Sequence, residues 1–228
     1  MEPATGRRPW APWAALRAAR GALPAALLAA LLAALPYPVL LAVGTALLNA
    51  QPARRRAAWL AYASTDLANL SDHPVTALLL SAFVTEGDLL AWTVLALAGL
   101  GVLAWSRPWP GALWRPPVLA FAVHVLATGV SQGITAHRIA TGGLPPGARV
   151  MTDVGPSYVV VAALVAAVGY GTRAGRLVGA LGFGVLAPSL FTGLGDLDVA
   201  AVGHVASIAL ALPLGALLVR RRHHVDPS

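Results

Sequence analysis

Residues 24–48 read PAALLAALLAALPYPVLLAVGTALL, a run of 25 residues without one charge. An α-helix rises ~1.5 Å per residue, so about 20 apolar residues cross the ~30 Å hydrocarbon core of a bilayer. This run is long enough to span. Arg7, Arg8, Arg17 and Arg20 precede it, as basic residues precede a secretory signal. A signal's apolar region is only about 7–15 residues long, however. An uncleaved first membrane helix is therefore expected. The arm before it carries Trp10 and Trp13 among its Arg residues, a pattern suited to lying on a membrane surface.

Outward from this run, five more apolar segments follow: Leu89 to Trp105, Pro117 to Ile134, Val154 to Tyr170, Leu177 to Leu194 and Val199 to Val219. The second is short and could extend upward through Phe83. The segment Val75 to Val84 is too short to span and reads as a re-entrant or interfacial helix. Composition agrees: 57% of the chain is hydrophobic and 11% charged, against about 25% charged in soluble domains. The expected fold is an all-α membrane protein, a bundle of six transmembrane helices.

One domain is expected, over residues 23–219. An Arg-rich arm (1–22) precedes it and a basic tail (220–228) with His223 and His224 follows. The segment 49–88 is too long and too apolar for a plain link, so it should fold against the bundle as an embedded outer loop. Arg placement orients the chain, because basic residues accumulate on the cytoplasmic side. With the N-terminus inside, 11 Arg lie inside and 5 outside. Both termini are then cytoplasmic, in a cell (inner or plasma) membrane. Arg54, Arg55 and Arg56 run against the rule.

The net charge of +7 does not point to nucleic acid, because the Arg residues sit between apolar runs and form no basic face. The absence of Cys removes disulfides, thiolate metal sites and Cys nucleophiles. No phosphate-binding loop, dinucleotide fingerprint or zinc signature occurs, so no cofactor and no metal are expected. Asp196 and Asp198 flank a short outer loop with too few oxygens for calcium.

Polar residues within apolar runs are costly and mark functional candidates. Ser157 follows Gly155 and Pro156 in Asp153-Val-Gly-Pro-Ser-Tyr158, at the start of the fourth run. A hydroxyl there lies beside unpaired N–H groups and the positive end of a helix dipole, where an oxyanion is stabilised; it also reads as a helix cap. His204 lies one turn into the sixth run, on the same outer side. It reads either as a base for Ser157 or as a buried His bonded to a carbonyl. Ser207 and Ala211 continue its face with small residues that let a helix approach closely. His124, Ser131 and Gln132 on the third run read as hydrogen bonds between helices.

These residues resemble the rhomboid family of intramembrane serine proteases. Its members carry Gly-x-Ser at the outer start of their fourth membrane helix and a His near the outer end of the sixth, followed by small residues. Gly155-Pro156-Ser157 and His204 match in order, helix number and depth, and the resemblance extends over about Val75 to Val219. Divergent bacterial rhomboid-like proteins are similar in Ser64-Thr-Asp-Leu-Ala-Asn-Leu-Ser71, in His73-Pro74 and in Asp153-Val-Gly-x-Ser-Tyr158. The resemblance implies that Ser157 attacks a peptide carbonyl in a substrate's membrane segment while His204 moves the proton. Gly155, Tyr158 and His73 are the candidates for supporting the site. The partner implied is a transmembrane protein, within the lipid bilayer.

The chain also departs from the family pattern. Tyr158 stands where active members have Gly, and Pro156 precedes the serine as in inactive relatives. Leu89 and Thr93 occupy the place of a second-helix His-x-x-x-Asn pair that completes the oxyanion hole; His124 and Thr128 have that spacing but lie on the third run. A catalytically inactive rhomboid-like protein that binds transmembrane partners is the alternative reading. A small transporter is a third, although neither inverted repeats nor mid-membrane charges are evident.

Overall fold

The structure, a computed structural model, describes residues 28–106 and 114–220. The N-terminal arm and the tail with His223 and His224 lie outside the described residues. Every regular element among the described residues is helical. We number them α1 (Leu28–Asn49), α2 (Ala53–Ala63), α3 (Leu67–Asp72), α4 (Pro74–Ala82), α5 (Leu89–Ser106), α6 (Arg115–Ala140), α7 (Ser157–Tyr170), α8 (Arg173–Leu190) and α9 (Val199–Arg220). A 3₁₀ turn, Pro146–Val150, sits between α6 and α7.

Three helices are long and apolar enough to cross a membrane: Leu28–Asn49, Arg115–Ala140 and Val199–Leu217. Leu89–Trp105 and Ser157–Tyr170 are apolar but shorter. Several boundaries differ from the sequence reading, each for a local reason. The second apolar segment does not extend through Phe83. The Asp88 carboxylate accepts from the N–H groups of Leu90 (2.9 Å) and Ala91 (3.1 Å) and starts α5 at Leu89. Thr172 caps α8 through the Gly175 N–H at 3.2 Å, so that helix begins before Leu177. α7 begins at Ser157, not Val154, because Gly155 has φ +141°, a conformation favouring glycine.

α7 is the central element, packed by α5, α6, α8 and α9. Residues Tyr158 to Ala167 are all buried. A helix apolar on every side belongs inside a larger structure, and Val and Ala fill nine of the fourteen positions of this one. In a membrane, helices associate through close packing more than through water exclusion, which favours small residues at contacts. The neighbours of α7 supply them. A Cβ on Gly179 would lie 2.8 Å from the Leu164 carbonyl oxygen, and one on Gly99 would lie 3.0 Å from the Ala163 Cβ. Around this core, Leu47, Leu177, Leu181 and Val185 point outward, exposed.

Residues of the segment 49–88 hydrogen-bond among themselves and to α1. Asp66 caps α3 through the Asn69 N–H at 2.9 Å, and the Asn69 amide donates to the carbonyls of Ala61 (2.6 Å) and Ser64 (2.9 Å). The Tyr37 hydroxyl donates to the Ala82 carbonyl at 2.8 Å, and the Thr85 N–H donates to Thr45 Oγ1 at 3.2 Å. The apolar stretch from Val75 takes the form of α4, a short helix tied to α1 at its C-terminal end.

Candidate functional site

Two strands of chain meet at the start of α7. The Thr65 N–H and hydroxyl both donate to the Asp153 carbonyl at 3.0 Å, and the hydroxyl lies 3.1 Å from the Asp153 carboxylate. The Asp153 N–H donates to Ser64 Oγ at 2.9 Å. Two residues on, the Gly155 N–H donates to the Ser81 carbonyl at 2.9 Å. Ser64, Thr65 and Ser81 thus hold the loop that precedes Ser157.

Ser157 occupies the first turn of α7, half-buried. Its hydroxyl makes no hydrogen bond, so it does not serve as a helix cap. The first N–H groups of a helix have no partner within it. The Gly155 N–H, just before the helix, already has the Ser81 carbonyl.

His204 is buried on α9, with Nδ1 2.9 Å from the Leu190 carbonyl oxygen at the end of α8. A carbonyl only accepts, so this nitrogen carries the proton and Nε2 presents a lone pair. Nε2 is enclosed and has no partner. The structure does not join it to Ser157. The residue that reaches His204 is Tyr158, whose ring meets the imidazole edge-on at 5.3 Å. The Tyr158 hydroxyl donates toward the Asp153 carboxylate and the Val199 carbonyl, each at 3.2 Å.

Helical geometry explains this division. Successive residues are turned by about 100°. Tyr158 faces α9, where a Cβ on Gly203 would lie 2.1 Å from its ring. Ser157 shares its side of α7 with Leu164, seven residues on, which meets Gly182 of α8. The serine therefore lies on the α8 side of α7, about a quarter turn from the face that Tyr158 presents to α9.

His73 is not brought to this place. Its ring stacks on Tyr62 at 4.4 Å, and its Nε2 lies 3.2 Å from the Tyr62 carbonyl oxygen. Ser207 and Ala211 are buried along α9, with Ala211 in the same core cluster as Val161 and Val165 of α7. His124 links α6 to α4: its Nε2 is 3.1 Å from the Leu78 carbonyl oxygen and 3.3 Å from Ser81 Oγ. Its ring also lies 5.8 Å from that of Tyr158. Gln132 Nε2, Thr128 Oγ1 and Ser207 Oγ are buried without partners. Asp198 is a cap, accepting from the Ala200 N–H at 3.0 Å. Among the described residues no cluster suited to a metal ion occurs.

Sequence reasoning did not anticipate the Ser64–Thr65–Asp153 clasp, the Leu190 carbonyl or Gly203. A Ser-Thr-Asp run ahead of a short helix is a signal for a turn and cap, but nothing in it names Asp153 as its distant partner.

Burial raises the Asp153 carboxyl above the ordinary carboxylate range, opposed by the hydrogen bonds from Thr65 and Tyr158 and reinforced by Asp198 and Asp66. The folded chain therefore holds a proton here that the unfolded chain releases. Stability from this group is present at low pH and is lost as pH rises through the raised value. Asp153→Asn, neutral at every pH, removes that dependence. The melting temperature of wild type minus that of Asp153→Asn should fall as pH rises from 4 to 8; a pH-independent difference would contradict this account.

Long apolar helices around a buried central helix, with polar groups gathered at one of its ends, define a multi-pass membrane protein. A family model described as rhomboid-like protein matches residues 34–224, and the chain belongs to that family. No curated protein matches the chain, and no solved structure does.

Proposed function

We propose that this chain is an intramembrane serine endopeptidase, with Ser157 as nucleophile and His204 as general base. The topology proposed with it has six membrane-crossing helices, α1 and α5 to α9, both termini cytoplasmic, in the cell membrane of a bacterium. The observation that carries the reading is the state of His204: Nδ1 is fixed by a carbonyl, and Nε2 is left as a bare acceptor. A base needs that tautomer, and His204 presents it.

His204 Nε2 takes the Ser157 proton, directly or through one water, as Oγ bonds to the scissile carbonyl carbon. The carbonyl π pair moves to oxygen, and N–H groups at the start of α7 stabilise that charge. As the tetrahedral species collapses, the carbon–nitrogen bond breaks and His204 returns the proton to the leaving amine. Water then repeats the sequence and releases the acid. α5 offers no His or Asn to the oxyanion. Losing one such donor costs on the order of 10²–10³ in rate in a soluble serine protease, so turnover should be slow. A fluorophosphonate probe tests the assignment. Wild type should be labelled and Ser157→Ala should not; equal labelling of both would sink it.

A second reading, a catalytically silent protein that binds transmembrane helices of partners, is favoured by one feature. Tyr158, not Ser157, fills the contact with His204. It expects no labelling of either protein and co-purification of membrane partners from both.

A further inference from the structure

The three basic residues that run against the charge rule also run against the electrostatics of their own helix. Arg54, Arg55 and Arg56 lie in the first turn of α2, which contains no acid and has no side-chain cap. The positive end of the helix dipole is there, and cations beside it are unfavourable. No side chain of the three makes a hydrogen bond or ion pair. Arg54 and Arg55 are exposed and Arg56 is half-buried. A local rule broken without internal compensation points to an external partner, and the partner must be an anion.

The surroundings define its other half. A hollow of about 320 Å³ opens where α1, α2 and α4 meet, lined by Gly44, Leu47, Leu48, Trp59, Ala63 and Leu80. That volume is at the lower end of the range for ligand pockets. Trp59 is also a wall of a second hollow, shared with Arg55, Ala58 and Tyr62. Arg55, Trp59 and Tyr62 stand at i, i+4 and i+7, on one face of α2. Trp59 and Tyr62 are 51% and 43% exposed, as aromatic residues are at the level of lipid headgroups. An apolar slot, an aromatic divider and an unpaired guanidinium thus follow one another along one exposed seam.

We propose that this seam is a binding site for one anionic phospholipid, its phosphate held by Arg55 with Arg54 and Arg56 and one acyl chain lying in the slot between α1 and α4. The lipid supplies the charge that the first turn of α2 lacks. It also holds the embedded segment against α1. The site is independent of any chemistry at Ser157.

The test is native mass spectrometry of the full chain, titrated with phosphatidylglycerol or phosphatidylcholine. Wild type should retain phosphatidylglycerol preferentially. R54Q/R55Q/R56Q should lose about a hundredfold in phosphatidylglycerol affinity, falling to the phosphatidylcholine level. Leu47→Trp, at an exposed position, should fill the slot and weaken both lipids while leaving the preference intact. Thermal melting checks folding; should the triple variant fail to fold, Arg55→Gln alone should lose about fivefold. Preference retained without the arginines overturns the site. So does a Leu47→Trp protein that binds as wild type does, because the arginines would then act only as diffuse charge. Competition by free glycerol phosphate at equal concentration would assign the site to a soluble anion and overturn the lipid.

Discussion

Gly203→Ala is expected to destabilise the folded protein by at least ~3 kcal/mol, the upper end of the usual cost of overpacking a core. The new Cβ would lie 2.1 Å from both Cζ and the hydroxyl oxygen of Tyr158. A flexible side chain could swing away, but this one is held. Its hydroxyl donates to Asp153 and Val199, and its ring is flanked by His124 and His204. Relief must therefore come from separating α7 and α9, which share a long packed contact. Thermal unfolding in detergent measures the loss. Tyr158→Leu should be a partial suppressor, because it removes the atoms that clash. A Gly203→Ala protein that melts with wild type would show that the ring has another place to go.

His204→Asn is expected to slow fluorophosphonate labelling of Ser157 by on the order of 10⁴-fold or more. Removing the histidine of a soluble serine protease costs about 10⁶ in kcat. The Asn side chain can still donate to the Leu190 carbonyl, the one hydrogen bond the imidazole makes, but it is no base. Stability should therefore change little while reactivity collapses. Labelling at the wild-type rate in His204→Asn would remove the histidine from the chemistry. A large drop in melting temperature without loss of labelling would assign it a packing role only.

The helical class and the family were legible in sequence, since each rests on a local property. A run of uncharged residues such as 24–48 can only be a helix in hydrocarbon, where every backbone group must be bonded within its own segment. Helix ends were read less well. Gly155, Asp88 and Thr172 each reset a boundary through a backbone angle or a cap, and apolar counting does not register these. Six apolar segments were legible as well, but length and composition qualify three of the helices as spans.

Ser157 and His204 were found by order and depth along the chain, and these are one-dimensional quantities. Which side of α7 each neighbour takes is not. The ~100° turn between Ser157 and Tyr158, together with the bare Cα of Gly203, puts the tyrosine against His204 and turns the serine toward α8. The partner of each polar group was also decided only on folding. Asp153 meets Thr65 across 88 positions of sequence, and His204 meets Leu190 through a carbonyl that every residue carries. A carbonyl has no signature in sequence, because only the packing of α8 beside α9 makes that one the partner. The run at 24–48 thus committed the chain to a membrane by composition alone, whereas the geometry of its candidate site came from how closely small residues let the helices approach.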